Sequence, residues 1–445
     1  MNRPFFLLIA ALPLAAQTDA ARVPPMGWNS WDSYGLSISE SEFRANTDVL
    51  AAKLKPFGWL YSVIDEGWYL PNPEAKPGEF KFMLDINGRY IPAAKRFPSA
   101  TGNAGFRPLA DYVHSRGLKF GIHIIRGIPR EAVARNLPIA ASNFHASDAA
   151  DQSDTCPWNG DNYGVKDTPA GQAYYDSVAR LYAGWGVDFV KIDCIASHPY
   201  KGDEIRMFST ALKRTGHPIV LSLSPGPAPV DKLDELRHYA NMWRISDDFW
   251  DHWGPWPKHE FSQGLLKQFA TAAEWAPHIE PGHWPDADML PLGYLGPRPG
   301  AGDARDTKLT HDEQQTVLTL WSVFRSPLIM GGNLTRLDDF TMKLLTNRDV
   351  IAANQHSANN RAVVTSASQA VWAAEADAGA GYYIAFFNLS DQPSTLHYDW
   401  SELGLLGARY TLRDVWAHKE LPAVSKIDVT LGPHASAFYR LAHSR

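Results

Sequence analysis

From residue 23 to about 345, short apolar runs alternate with longer stretches whose apolar residues return every three or four positions. That alternation is the mark of parallel β/α units. Eight runs read as strands, at 26–28, 61–65, 119–122, 189–193, 219–222, 242–245, 283–284 and 328–330. Helical stretches between them include 39–55, 107–116, 168–185 and 231–239. Thr310 with Glu313 makes a capping box that opens a helix running to Phe324. The pattern predicts an α/β fold, a (β/α)8 TIM barrel with its working end at the carboxyl ends of the strands. A doubly wound sheet is the alternative, but no Gly-rich phosphate loop follows the first strand. Past about residue 358 the period changes. Segments at 362–364, 370–373, 382–388, 395–398, 410–414, 427–431 and 437–441 alternate apolar and polar residues between turns, which predicts an antiparallel β-sandwich. The expected division is a leader over 1–21, a barrel over 22–355 and a β domain over 356–445, packed on the barrel as a stabilising unit.

Within this frame the run 187–194 stands out, because Lys191 and Asp193 interrupt apolar Phe189, Val190 and Ile192. Two residues apart on a strand, they leave the same face, and a buried strand does not carry charges without partners. A polar pocket at the strand's carboxyl end accounts for both. A second acidic cluster, Asp247, Asp248 and Asp251, follows Trp243 and Arg244. Two carboxylates raised from different strand ends among aromatic residues are what glycosidic bond cleavage requires. On chemistry alone Asp247 competes with Asp248. Of 16 Trp residues most are packing anchors, and Trp243, Trp250 and Trp253 beside Asp248 are the candidates for sugar platforms.

Composition narrows the function further. A net charge of −6 with no basic stripe argues against nucleic acid. Asn2 and Arg3 precede an apolar run from Pro4 to Ala16, with small residues after it, so a cleaved export signal is expected and a periplasmic or secreted enzyme with it. That run is too short for a membrane span, and no membrane association is expected. The two cysteines, Cys156 and Cys194, are read as one disulfide in an oxidising compartment. No His/Cys cluster has metal spacing, and no metal or cofactor is expected, since two carboxylates and water suffice.

Seven stretches then carry a resemblance. They are Pro25-Met26-Gly27-Trp28-Asn29-Ser30-Trp31, Ile64-Asp65-Glu66-Gly67-Trp68, Lys119 to His123, Val190 to Cys194, Trp243 to Asp248, Trp284 to Leu290, and Trp321 to Gly332. In this order they resemble glycoside hydrolase family 27, the α-galactosidase family. The resemblance implies a barrel followed by a β domain, a carbohydrate substrate and a retaining double displacement, with the two carboxyl groups about 5–5.5 Å apart. It assigns Asp193 as nucleophile and Asp248, four residues after Arg244, as acid/base. Trp31 is implied as a wall against the sugar, Asp65 and Glu66 as acceptors for the axial 4-hydroxyl and its neighbours, and Lys191 as a contact to a ring hydroxyl. Arg244 is implied at the 2-hydroxyl, with Asp288 bracing Arg244 or that hydroxyl. His123 stands where the family often has Tyr, as a donor or a structural residue. The cysteines fall where a family disulfide ties the loop after the third strand to the nucleophile's loop.

Lys191 is expected to lower the Asp193 pKa, and Asp247 or Asp251 with Trp burial to raise that of Asp248. Three departures from the family pattern matter. Asp65-Glu66 replaces a more usual Asp-Asp pair, and the extra methylene pushes a carboxylate about 1.5 Å toward the sugar's exocyclic CH2OH. That favours a pyranose lacking C6, such as β-L-arabinopyranose, over α-galactose. Ser224 leaves room at the 2-position, so a 2-acetamido group stays open. His283-Trp284-Pro285-Asp286 replaces a Gly-rich approach to Asp288. The leading expectation is an exo-acting enzyme removing terminal α-linked galactose, with β-L-arabinopyranosidase as its rival. A non-catalytic carbohydrate-binding protein is the alternative from another class.

Overall fold

The computed structural model describes residues 21–443 except 77, 256–261, 297–302, 377–378, 406 and 408. The expected leader, all but Ala21, lies outside the described residues. All eight anticipated barrel strands form: β1 Met26–Asn29, β2 Tyr61–Ile64, β3 Lys119–Ile125, β4 Phe189–Asp193, β5 Val220–Leu223, β6 Met242–Arg244, β7 Trp284–Asp286 and β8 Leu328–Met330. They pair in parallel in the order β7-β6-β5-β4-β3-β2-β1-β8. The sheet curls until Leu290, just beyond β7, bridges to Met330 of β8.

The inward faces explain where the chemistry sits. Strand residues two apart share a face, so β2 and its extension present Tyr61, Val63 and Asp65 in sequence, and β4 presents Phe189, Lys191 and Asp193. Strand β5 with its extension gives Val220, Ser222 and Ser224, and β6 gives Met242 and Arg244. Tyr61, Val63, Phe189, Val220, Met242 and Trp284 pack together as an apolar plug at the strands' amino ends. Gly121 lies between them because a Cβ there would come 2.8 Å from Val63 and 3.1 Å from Phe189. Above the plug the same faces turn polar. Outward residues such as Ile64, Ile122, Val190, Ile192 and Leu221 are buried in the main core.

The helix expected over 39–55 forms, as α-helix over Glu40–Val49 opened by a Ser39–Glu42 capping box. It continues as a π turn, Leu50–Leu54, and a 3-10 turn, Lys55–Phe57. Pro56, which lacks a backbone donor, stands where regular α-helix hydrogen bonding has given way. The helix opened by Thr310 runs His311–Phe324 with its capping box formed.

After the barrel come β9 Ala358–Thr365, β10 Gln369–Glu375, β11 Tyr382–Asn388, β12 Ser394–Asp399, β13 Tyr410–Asp414, β14 Lys419–Val424, β15 Lys426–Leu431 and β16 Ser436–His443. Six form an antiparallel sheet in the order β9-β10-β11-β16-β13-β14, and β12 pairs with β15. Ile384 and Phe386 of the first layer share a core with Leu396 and Val429 of the second. The opposite face of the sheet, with Trp372, Phe387 and Phe438, joins the barrel's core. Phe387 meets Phe269 edge to face at 5.0 Å, and Gln315 donates to the Ser436 carbonyl at 3.1 Å. Among the described residues no helix is long and apolar enough to cross a membrane.

Candidate active site

The polar upper ends of the strands surround one cavity of about 600 Å³. Trp31, Asp65, Glu66, His123, Lys191, Asp193, Ser224, Arg244, Asp248 and Asp288 all line it. Strand register brings them there: His123 of β3 lies opposite Lys191 of β4, and Arg244 of β6 opposite Asp286 of β7.

One side of the cavity is built around Asp65 and Asp193. Asp65 Oδ2 accepts from Asn29 Nδ2 at 2.7 Å and from Lys191 Nζ at 3.0 Å, while its Oδ1 accepts from the Glu66 N–H at 2.8 Å. Asp193 Oδ1 accepts from the Cys194 N–H at 2.6 Å, and its Oδ2 faces His123 Nε2 at 3.5 Å. Lys191 therefore has Asp65, not Asp193, as its direct partner. Burial alone would push the Asp193 carboxyl up, but the His123 bond and charge, Lys191 and the Cys194 N–H outweigh it and hold the pKa below the ordinary value. Asp65 is likewise desolvated, and His123 and Lys191 reverse the effect and hold it low. His123 stays above its ordinary value, because Asp65 and Asp193 overcome the cost of burying a charged ring.

The other side is held by Arg244. Its Nη2 lies 2.7 Å from Asp288 Oδ2 and 3.3 Å from Asp248 Oδ1, and donates to the Asp247 carbonyl at 2.7 Å. Asp288 Oδ2 also accepts from the Phe249 N–H at 2.8 Å, so it braces both Arg244 and the segment after Asp248. The Asp248 side chain remains half open to the cavity, at 50% exposure. Desolvation by the cavity walls and the negative Asp193 raise its pKa against the pull of Arg244. The neighbours expected to do this are engaged elsewhere. Asp247 pairs with His198 at 3.1 Å, and Asp251 with Arg305 at 2.6 Å. The two sides differ in proton affinity: the Asp193 carboxyl of β4 is held below its ordinary pKa and the Asp248 carboxyl above it. That pairing suits transfer at an acetal carbon.

Several contributors escaped sequence reading. Asp32 is buried with its Oδ2 unpartnered, and burial followed by Asp288 lifts its pKa well above the usual carboxyl range. Asn159 Nδ2 donates to Glu66 Oε1 at 2.8 Å from the loop that carries Cys156. Of the three tryptophans proposed as platforms, Trp250 lines the cavity. Trp243 is fully buried against Trp275, and Trp253 stacks on His434 at 3.8 Å, so these two are packing residues. Cys156 and Cys194 form the expected disulfide. Cys194 (φ 60°) and Asp288 (φ 86°) adopt left-handed backbone. Such strain gathers where surrounding structure imposes a functional geometry. Among the described residues no group of three or more His, Cys, Asp or Glu side chains is arranged to hold a metal ion.

Comparison with known proteins agrees with this geometry. Residues 23–132 and 161–356 match the family described as alpha galactosidase A, and residues 366–441 match the alpha galactosidase C-terminal beta sandwich domain. An alpha-galactosidase of Oryza sativa subsp. japonica is 27% identical over 96% of this chain and 86% of its own length. Alpha-galactosidase A of Cellvibrio japonicus is 28% identical over 88% of this chain and 84% of its own. Among solved structures, a family 27 β-L-arabinopyranosidase from Geobacillus stearothermophilus superposes with a TM-score of 0.91 at 45% identity, covering 96% of this chain and 98% of that one. A variant of the same enzyme in complex with arabinose gives 0.92 at 44%, covering 97% and 100%. Barrel, sandwich, paired carboxyls and sequence relatives converge, and the chain belongs to glycoside hydrolase family 27, enzymes that hydrolyse glycosides, typically with retention.

Proposed function

We propose that this enzyme removes terminal β-L-arabinopyranose from glycans by double displacement. Asp193 attacks the anomeric carbon as the bond to the leaving oxygen breaks, and Asp248 gives that oxygen its proton. Asp248 then takes a proton from water, which cleaves the glycosyl ester and returns the sugar with its starting configuration. Their opposite pKa directions support these roles. Lys191, Asp65 and Arg244 are the groups for the ring hydroxyls, and Trp31 is the apolar wall.

The observation that carries the choice of sugar is Glu66. Its carboxyl reaches into the cavity beside Asp65, and burial with the charges of Asp193 and Asp65 pushes its pKa up to about 7. A CH2OH group on C5 would meet that carboxyl, whereas the pentose has only hydrogen there. The second reading, terminal α-galactose, is favoured by the relatives named alpha-galactosidases. It requires Glu66 to move aside. Hydrolysis of nitrophenyl β-L-arabinopyranoside beside nitrophenyl α-galactoside decides between them. The arabinopyranoside should give the higher kcat/KM, and Glu66→Asp should shift the ratio toward galactoside. An unchanged ratio contradicts the steric argument. Export is a second part of the proposal, supported by the leader pattern and by the disulfide. Mass analysis of the mature protein checks it, with a chain starting between about residues 17 and 22 expected and an intact Met1 contradicting it.

A further inference from the structure

The segment between the two matched parts of the barrel, residues 133–160, lies outside the family match. It nevertheless reaches the cavity, where Trp158 and Asn159 form part of the wall. Asn159 is held tightly for a loop residue. Three positions before it, Cys156 is tied to Cys194, the neighbour of Asp193. Three positions after it, Asn162 Nδ2 donates to the carbonyls of Ile125 and Arg126 at the end of β3, at 3.2 and 2.9 Å. Both ends of the loop are thus anchored to the two strands that carry His123 and Asp193.

The amide orientation follows from its partners. Asn159 Oδ1 accepts from the Asp161 N–H at 3.0 Å, which turns Nδ2 toward Glu66 Oε1 at 2.8 Å. A glutamate side chain has three rotatable bonds, and its carboxyl samples several positions unless a partner selects one.

We propose that Asn159 is a specificity-determining positioning residue, which holds the Glu66 carboxyl where it bars a substituent on C5 of the sugar. The proposal rests on the reading of Glu66 given above and adds the element that makes a flexible side chain an effective barrier. Sugar preference then depends on a loop that the family match does not cover, and the disulfide fixes that loop to the reacting centre.

The test compares kcat/KM for nitrophenyl β-L-arabinopyranoside and nitrophenyl α-galactoside in Asn159→Ala, Asn159→Ser, Glu66→Asp and the double variant Asn159→Ala/Glu66→Asp, each with an unchanged thermal midpoint. In Asn159→Ala the arabinopyranoside-to-galactoside ratio is expected to fall about tenfold, the upper end of what one hydrogen bond contributes. Asn159→Ser, which cannot span to Glu66, is expected to behave alike. In the Glu66→Asp background, removing Asn159 should leave the ratio where Glu66→Asp alone puts it. A general loss on both substrates with the ratio intact overturns the proposal and makes Asn159 structural only. A further ratio change in the double variant overturns it too, since Asn159 would then act without Glu66. If Glu66→Asp leaves the ratio unmoved, the reading of Glu66 itself fails and this inference with it. If Glu66→Asp moves the ratio and Asn159→Ala does not, only this inference fails.

Discussion

Replacing His123 with Phe removes the side-chain donor that faces the carboxylate proposed to attack the sugar. His123 Nε2 is 3.5 Å from Asp193 Oδ2, and the ring is 1% exposed. A hydrogen bond to a charged group is worth about 1.5–3 kcal/mol. The lower figure is taken here, because the 3.5 Å separation lies beyond the usual range of about 2.7–3.2 Å for such a bond. At about 1.4 kcal/mol per pKa unit, the Asp193 carboxyl should rise by roughly one unit. The sign follows from the direction of the existing shift. Asp193 is held low, so its ionised form is present above that pKa and is lost as pH falls through it. Without His123 the loss begins at higher pH. The acid limb of kcat/KM, which reports the free enzyme, should therefore move up by about one unit in His123→Phe. His123→Tyr should restore part of the shift by supplying a hydroxyl donor. A glycosyl fluoride is the substrate of choice, because its departure does not depend on Asp248. A folded Phe variant whose acid limb stays in place would refute this account of how Asp193 is kept ionised.

Asp248→Ala should lower kcat by about 10²–10⁴ for glycan leaving groups and far less for the glycosyl fluoride; equal losses contradict an acid/base role. The alkaline limb of the wild-type kcat/KM profile should reflect Asp248 giving up a proton it holds above the ordinary carboxyl range, and it should vanish for the fluoride substrate. Cys156→Ser opens a loop spanning 38 residues, for which the chain-entropy treatment gives about 4 kcal/mol. A clear drop in thermal midpoint is expected, and an unchanged midpoint contradicts a stabilising role for the bridge.

Much of this was legible in the sequence because barrel strands announce themselves twice. Phe189, Lys191 and Asp193 mark an inward face that is apolar below and charged above, while Val190 and Ile192 mark the buried outer face. The same reading placed Asp65 and Arg244 at strand ends, while Asp288 was reached only through the resemblance to family 27. Strand β14 was missed because none of its residues, KELPAV, is buried and one is a proline, so no buried alternation identifies it. Trp243 and Trp253 were misassigned because proximity in sequence to Asp248 does not say which way a ring points. Asp32 and Asn159 were missed for a related reason. The shift at Asp32 comes from burial and from charges distant in sequence, Asp288 first among them, and Asn159 acts on Glu66 far along the chain. The negative charge that raises the Asp248 pKa also came from another strand, Asp193 of β4, and not from adjacent Asp247 or Asp251.

The most direct check on the mechanism is covalent trapping. The enzyme would be incubated with 2-deoxy-2-fluoro-β-L-arabinopyranosyl fluoride, digested, and its labelled peptide sequenced by mass spectrometry. One fluoropentosyl group on Asp193 is the predicted result. A label on a different carboxylate, or hydrolysis yielding the inverted anomer with no trapped intermediate, would contradict it.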